Sequence, residues 1–538
     1  MRRYFIVLIL ILAFLLRFFR SSSSPSSLYW DEVAMGYNVV SVLKTGADEY
    51  GHRLPFFFES FQDYKLPGYI YSLMPFISLF GTNENAIRLP SNLYGTLTVL
   101  FIYLLSTRFF SKKIALIAAF LLASSSWHIQ FSRAGFEAVG ALAFLILGLY
   151  MLHKGLDNKK FFYIGVISLI LSVSFYNGVR ITVPAMFFIF ILFYWKRLAF
   201  AKKDLIPMLA LIILLSPVLF KFLTKDAFIR YSYINIFSES PALADMATKR
   251  LKDAYNPFVS IFHNKYSVYF SLFSQNYLSH FSPNFFLLGA DQNIRHFVHD
   301  KELVSLWRIS FVILGAIILI LKRHKSLKIL IPLLLIAPVA ASITLPSPHA
   351  LRSLPMLPVI TILAAVGLNH FISIFSRSRR IIFGTVIVIL AILPTSQYLH
   401  ELFFHYPQYA AREWAFGYKE VFQKIKDPKG KYKSIYITGE YWRPYIFALY
   451  YLDYKPEEFQ KRPSHNQIAN LYFGYAGYDN SDPIYDYSEK VIEKVRNSKN
   501  YLLILSPDEK KDSENVQDTI YDLEGKPMFY FINDPVFE

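Results

Sequence analysis

Apolar runs, each bounded by polar or basic residues, repeat through the first 400 positions and then stop. A helix needs roughly 20 apolar residues to cross the hydrocarbon core of a bilayer. Runs at 4–19, 91–110, 112–130, 136–153, 161–177, 180–195, 204–222, 305–321, 327–344, 353–374 and 381–397 come near that length and predict about eleven spans. The run 68–80 is shorter and holds Pro75, so it reads as an interfacial or re-entrant helix within one long outer loop, 20–90. Charge agrees with this count. Arg108, Lys112, Lys154, Lys159, Lys196, Lys202, Lys322, Lys325, Arg377 and Arg380 then share one face, as retention of Lys and Arg in the cytoplasm demands. Met1-Arg2-Arg3 before the first run also suits a signal peptide. No small-x-small site directly follows that run, which favours an uncleaved first helix.

Beyond residue 397 the pattern changes period. Residues 432–438 alternate like a strand, 444–452 look helical, and 501–506 and 529–532 look like strands. The expected fold is mainly α: a polytopic helical membrane bundle, with interfacial helices in its long first outer loop and a small C-terminal α/β domain. Residues 1–400 form the membrane domain, with outer loops 20–90 and 223–304, and 401–538 form the soluble domain. The odd span count leaves the N-terminus cytoplasmic and the C-terminal domain extracytoplasmic, in a multi-pass plasma (inner) membrane protein. Loop 223–304 is too long for a plain connector; its aromatics suit either interfacial anchors or a lid.

Composition sharpens this picture in one respect. The chain is 54% hydrophobic and carries a net charge of +17, which by itself would suit a nucleic-acid partner. Residues 401–538 hold 18 Lys and Arg against 22 Asp and Glu, a net of −4, so the excess of +21 lies among the apolar runs. Topology explains it, and no nucleic acid is implied. Zero cysteines exclude disulfides, thiolate metal sites and a thiol nucleophile.

The polar residues left over gather on the outer side. They are Asp31, Glu32, Asp63 and Lys65 in the first loop, then Arg133 and Glu137, then Arg180, and His349 and Arg352 in a late turn. An acidic pair beside a tryptophan at a membrane surface is costly to desolvate; alone it suits an ordinary juxtamembrane loop with an aromatic belt, and the polar groups gathered on the same side turn it toward a site. His263, His280, His296 and His299 show no metal-ligand spacing, so the metal is unknown at this level.

Asp31-Glu32, Lys65-Leu66-Pro67-Gly68-Tyr69 and Phe80-Gly81-Thr82-Asn83-Glu84-Asn85-Ala86-Ile87-Arg88-Leu89-Pro90 occur here in an order that resembles the GT-C membrane glycosyltransferases. Within them the order is similar to family 39, the protein mannosyltransferases and aminoarabinose transferases. Phe131-Ser132-Arg133 with Glu137, and His349-Ala350-Leu351-Arg352-Ser353-Leu354-Pro355, add to the resemblance. It implies a polyprenyl-phosphate sugar donor and a hydroxyl acceptor on protein, lipid or wall polymer, with inverting transfer at the extracytoplasmic face. It places Asp31 as general base, with Asp63 as rival and Glu32 beside it. Lys65 then meets the donor phosphate, joined by Arg133 and Arg352, with Glu137, Arg180 and His349 in support. No cofactor is certain and a divalent metal stays open, because Tyr64 stands where aminoarabinose transferases carry a metal-linked glutamate. Inverting transfer needs one carboxylate for the acceptor proton and cations for the leaving phosphate, and these residues supply both. The competing class is a flippase or transporter of lipid-linked sugars, which would place ionisable groups near the midplane. A lipid-linked sugar polymerase and a structural membrane protein are the remaining alternatives.

Overall fold

The computed structural model describes residues 2–61, 63–198, 204, 234–237, 241–253, 255–289, 291–426, 428–474 and 484–534. The chain divides into two compact units, and the division does not fall at residue 400. One unit contains Met1–Phe19, Ser91–Ser132 and Phe136–Leu399; the other contains Arg20–Pro90, Arg133–Gly135 and His400–Glu538. The first outer loop therefore groups with the C-terminal domain.

The first unit is helical. Helix α1 spans Arg2–Phe18. Further helices lie where the apolar runs predict them, the expected span at 204–222 lying, beyond Asp204, outside the described residues. Among the described residues, Glu84–Thr107, Glu137–Gly155, Asn177–Leu198, Leu354–Ile374 and Ser378–Tyr409 are long and apolar enough to cross a membrane. The run at 112–130 is not one straight helix: Lys112–Ala123 and Ser126–Ser132 meet at 58°. The break has a physical cause. A helix end leaves carbonyls without partners, and here two buried arginines take them. Arg17 donates to the carbonyls of Leu122 and Ala123, and Arg308 to those of Leu121 and Ser124. Helices Leu306–Leu321 and Leu357–Ile374 cross at glycines. A Cβ on Gly315 would stand 2.0 Å from the Leu363 carbonyl oxygen, and one on Gly367 2.1 Å from that of Phe311. Small residues allow such close backbone approach between membrane helices. The described parts of loop 223–304 are mostly short helices, including Lys265–Ser279, capped by Asn264, and Pro283–Leu288, capped by Ser282.

The second unit holds helix α2 (Trp30–Thr45), strands β1 (Phe58–Ser60) and β2 (Asp63–Lys65), and helix α3 (Pro67–Phe80). Its C-terminal part is a six-stranded sheet in the order β4-β5-β3-β6-β8-β7. The strands are β3 (Ser434–Ile437), β4 (Gln467–Ile468), β5 (Leu471–Phe473), β6 (Tyr501–Leu505), β7 (Asp518–Tyr521) and β8 (Pro527–Asn533). Strand β3 pairs in parallel with β5 on one side and β6 on the other, and all four of its residues are buried. Burial on both faces is the usual condition of a parallel strand. The core is continuous with α2: Val33, Ala34 and Tyr37 pack with Tyr418, Phe422, Tyr445 and Leu449.

Candidate active site

Helix α2 opens on Trp30-Asp31-Glu32, and the two acids have different environments. Glu32 is fully buried and takes four hydrogen bonds. Arg88 Nε donates to Oε1 at 2.9 Å and Arg88 Nη2 to Oε2 at 3.0 Å. The Gly135 N–H donates to Oε1 at 2.7 Å, and the Tyr29 N–H to Oε2 at 3.3 Å. Arg88 spends its other N–H groups on the carbonyls of Ser21, Pro25 and Ser27. A Cβ at position 135 would stand 3.1 Å from Glu32 Cγ, tighter than an ordinary contact. Glu32 thus anchors the start of α2 and faces no solvent. In the sequence it was a candidate beside Asp31.

Asp31, one residue earlier, keeps 22% of its side chain exposed and receives the Lys65 ammonium on Oδ1. The β1–β2 hairpin delivers that lysine. Its register pairs Phe58 with Lys65 and Ser60 with Asp63. Residues two apart share a strand face, so Asp63 and Lys65 emerge on the same side. Asp63 Oδ1 accepts the Tyr64 N–H at 2.8 Å. Lys65 is almost fully buried. Arg133 is also in this unit, fully buried. Its Nε and Nη2 donate to the Ser24 carbonyl at 3.2 and 2.8 Å, and its guanidinium lies 4.8 Å from the Phe403 ring centroid.

A carboxyl that the sequence reading passed over completes this region. Glu49 Oε1 accepts the Tyr445 hydroxyl at 3.1 Å, and Oε2 accepts Asn38 Nδ2 at 3.2 Å. Burial pushes its pKa up to about 8. The available signal was a second acidic pair, Asp48-Glu49, between Gly46 and Gly51.

The remaining candidates lie in the first unit. Glu137 is the first residue of its helix, and Arg180 follows a short turn at Asn177–Val179. Arg352 Nη1 donates to Thr344 Oγ1 at 2.8 Å and to the Leu345 carbonyl at 3.0 Å. His349 is buried, and its N–H donates to His280 Nε2 at 3.1 Å. Close by, Asp291 Oδ2 accepts His296 Nδ1 at 2.8 Å and the Ala350 N–H at 2.7 Å, and lies 3.9 Å from His349 Nδ1. Burial opposes the Asp291 charge, but His296 beside it and the hydrogen bonds it accepts hold its pKa below the ordinary carboxylate range. Burial, with Arg352 adding to it, holds His349 neutral.

Comparison with known proteins now bears on this arrangement. A family model for dolichyl-phosphate-mannose-protein mannosyltransferase matches residues 65–220. No curated protein sequence matches the chain. The structure of ArnT from Cupriavidus metallidurans bound to undecaprenyl phosphate superposes with a TM-score of 0.57 at 12% identity, over 99% of this chain and 98% of that one. The chain has the fold of the GT-C superfamily of membrane glycosyltransferases. The GT-C likeness extends to the oligosaccharyltransferase AglB from Archaeoglobus fulgidus in complex with an inhibitory peptide and a dolichol-phosphate. There the TM-score is 0.52 at 13% identity, over 94% of this chain and 69% of that one. A second structure of the Archaeoglobus fulgidus oligosaccharyltransferase, with zinc and sulfate, gives a TM-score of 0.51 at 14% identity over 83% of this chain. The present chain spans only 61% of that protein.

Asp291, His296 and His349 each offer a ligand atom, all within 4.8 Å of one another. Tetrahedral zinc with bonds of about 2.0–2.1 Å separates its ligands by roughly 3.3 Å. The spacings of 2.8 and 3.9 Å around Asp291 Oδ2 straddle that value. Two imidazoles and a carboxylate are a zinc-like donor set. The sequence did not reveal this group, because His349 stands 53 residues beyond His296 and no local spacing links them.

Proposed function

We propose that this protein is an integral-membrane glycosyltransferase. It moves a sugar from a polyprenyl-phosphate-linked donor to a hydroxyl acceptor on the extracytoplasmic face, with inversion. The observation that carries the reading is the Asp31–Lys65 pair, a partly exposed carboxylate beside a nearly buried ammonium, held at the start of α2 by the saturated Glu32–Arg88 pair. The ArnT complex with undecaprenyl phosphate and the AglB complex with dolichol-phosphate and a peptide support a lipid-linked donor. The peptide also favours protein over lipid or wall polymer as acceptor.

In this reading the acceptor hydroxyl oxygen attacks the anomeric carbon as the bond from that carbon to the phosphate oxygen breaks. The hydroxyl proton passes to Asp31, and the electron pair leaves on the phosphate, whose charge Lys65 stabilises. Glu32 takes no proton; it positions Asp31 by fixing the helix start. A divalent metal would be held by Asp291, His296 and His349 and would supply a fixed positive charge. The N-terminus is cytoplasmic, the C-terminal domain extracytoplasmic, and eleven spans connect them. The test is direct. Purified protein, incubated with labelled polyprenyl-phosphate hexoses and pentoses and candidate acceptors, forms a glycosylated product. Movement of lipid-linked sugar across vesicles without any product overturns the proposal in favour of a flippase.

A further inference from the structure

Strand β3 sits at the point where the sheet order reverses. The chain leaves it for β5 on one side and later returns to β6 on the other, both parallel to it. In open α/β sheets, ligands bind outside the carboxyl ends of strands at such a reversal. The segment occupying that position is 438–443, which ends in Trp442 and Arg443. Both have left-handed backbones, with φ of +67° and +56°. Side-chain-bearing residues adopt that region at a cost, and such residues cluster at ligand sites. The turn is held by the Glu440 N–H on Thr438 Oγ1 and the Trp442 N–H on the Gly439 carbonyl.

This conformation sets Trp442 against Trp30 and Arg443 against Phe61, next in sequence or in contact with the Asp31–Lys65 pair. The Trp442 ring lies 6.1 Å from that of Trp30, the residue before Asp31, inclined at 35°. Nearly half of Trp442 is exposed, so its indole is not core packing. The Arg443 guanidinium stands 4.3 Å from the Phe61 ring centroid, and the Lys65 ammonium stands 5.3 Å from the same centroid. Phe61 itself has φ of +62°. Two cations thus share one ring, and the Lys65 ammonium donates to the partly exposed Asp31 carboxylate. Glu32 is neutralised by Arg88, and Glu440 is paired with Arg412.

We propose that Trp442 and Arg443 extend the donor site. The Trp442 indole, beside Trp30, gives the donor sugar an apolar face, and Arg443 gives the donor phosphate a second cation next to Lys65. The inference rests on the function proposed above. A pyranose presents C–H groups on its faces, which suit an electron-rich aromatic surface. A guanidinium fork matches phosphate oxygens.

The experiment measures binding of two probes to purified full-length protein: polyprenyl phosphate alone, and the same lipid carrying glucose, mannose or arabinose. Arg443→Gln weakens the bare lipid phosphate by about tenfold, and Arg443→Lys recovers most of the loss. Trp442→Leu leaves the bare lipid phosphate unchanged but weakens the sugar-bearing lipid that the wild type prefers by about tenfold. Unfolding temperatures of all three variants stay at the wild-type value. Wild-type binding by Arg443→Gln, or an undiminished preference for the sugar-bearing lipid in Trp442→Leu, overturns the inference while the transferase function stands. Parallel loss of binding and unfolding temperature, unrelieved by Arg443→Lys, also overturns it, since the turn is then only structural. A wild type that binds neither lipid removes the function itself, and this site with it.

Discussion

Glu32 and Arg88 form a two-pronged ion pair, Nε to Oε1 at 2.9 Å and Nη2 to Oε2 at 3.0 Å, with both side chains fully buried. A buried pair of this kind is expensive to break from one side, because the survivor is left charged without its partner; the cost is typically about 3–5 kcal/mol. Arg88→Ala and Glu32→Ala are therefore expected to lower yield and unfolding temperature strongly, whatever the substrate. Calorimetry or a thermal-shift measurement in detergent checks this. A variant that folds like the wild type yet loses transfer would assign Glu32 to the chemistry instead.

Glu49 makes a pH prediction. Its folded pKa is about 8, against an ordinary carboxylate value of 4.5. The folded form then binds more protons than the unfolded form between those values. Stability falls as pH rises from about 4.5 to about 8 and levels off above, with a slope of up to about 1.4 kcal/mol per pH unit from this one group. Glu49→Gln keeps the acceptor for Asn38 or Tyr445 and cannot ionise. Its unfolding temperature is expected to show a shallower decline over that window. Equal slopes for variant and wild type would assign the dependence elsewhere.

The sequence carried the short-range features well. Asp31 and Lys65 belong to compact motifs, and the apolar runs mark where helices form. What it could not carry was pairing over distance. Glu32 is defined by partners at positions 29, 88 and 135, and Trp442 and Arg443 by partners near 30 and 61, some 400 residues earlier. Strands of two or three residues, such as β4 and β5, are too short to show alternation. Arg133 stood in the sequence as a candidate cation for the donor phosphate, through its Phe131-Ser132-Arg133 motif. Its carbonyl partner, Ser24, lies more than a hundred residues away.

The Asp291, His296 and His349 group predicts a bound divalent metal. Elemental analysis of protein purified without chelator is expected to find about one zinc per chain, lost in Asp291→Asn and reduced in His296→Ala. Chelation should lower the unfolding temperature of the wild type. Protein that holds no metal and ignores chelator would make the group a hydrogen-bonded clasp between Asp291 and the Ala350 N–H.

Orientation is open to reporter fusions. Fusions at Lys112, Lys325 and Arg379 are expected to report cytoplasm, and fusions at Asp63, Ser282 and Ser347 the opposite side. A cytoplasmic signal at Ser347 would break the eleven-span count, because Arg352 would then leave the outer face.

Asp31 gives the sharpest test, because its neighbours constrain the outcome. A general base has to carry its negative charge at working pH and contributes about 10²–10⁴-fold. Asp31→Asn keeps the size of the side chain and an acceptor for the Lys65 ammonium, but it cannot take a proton. Transfer is expected to fall by about that factor while polyprenyl-phosphate binding survives, since Lys65 remains. Asp63→Asn should cost less: Asp63 shares a hairpin face with Lys65, yet the lysine's ammonium goes to Asp31. Single-turnover transfer and lipid binding, measured on both variants, separate the cases. Near wild-type transfer by Asp31→Asn with loss in Asp63→Asn would exchange their roles. Full transfer in both would leave the Asp31–Lys65 pair as a structural clasp and remove the base from the mechanism.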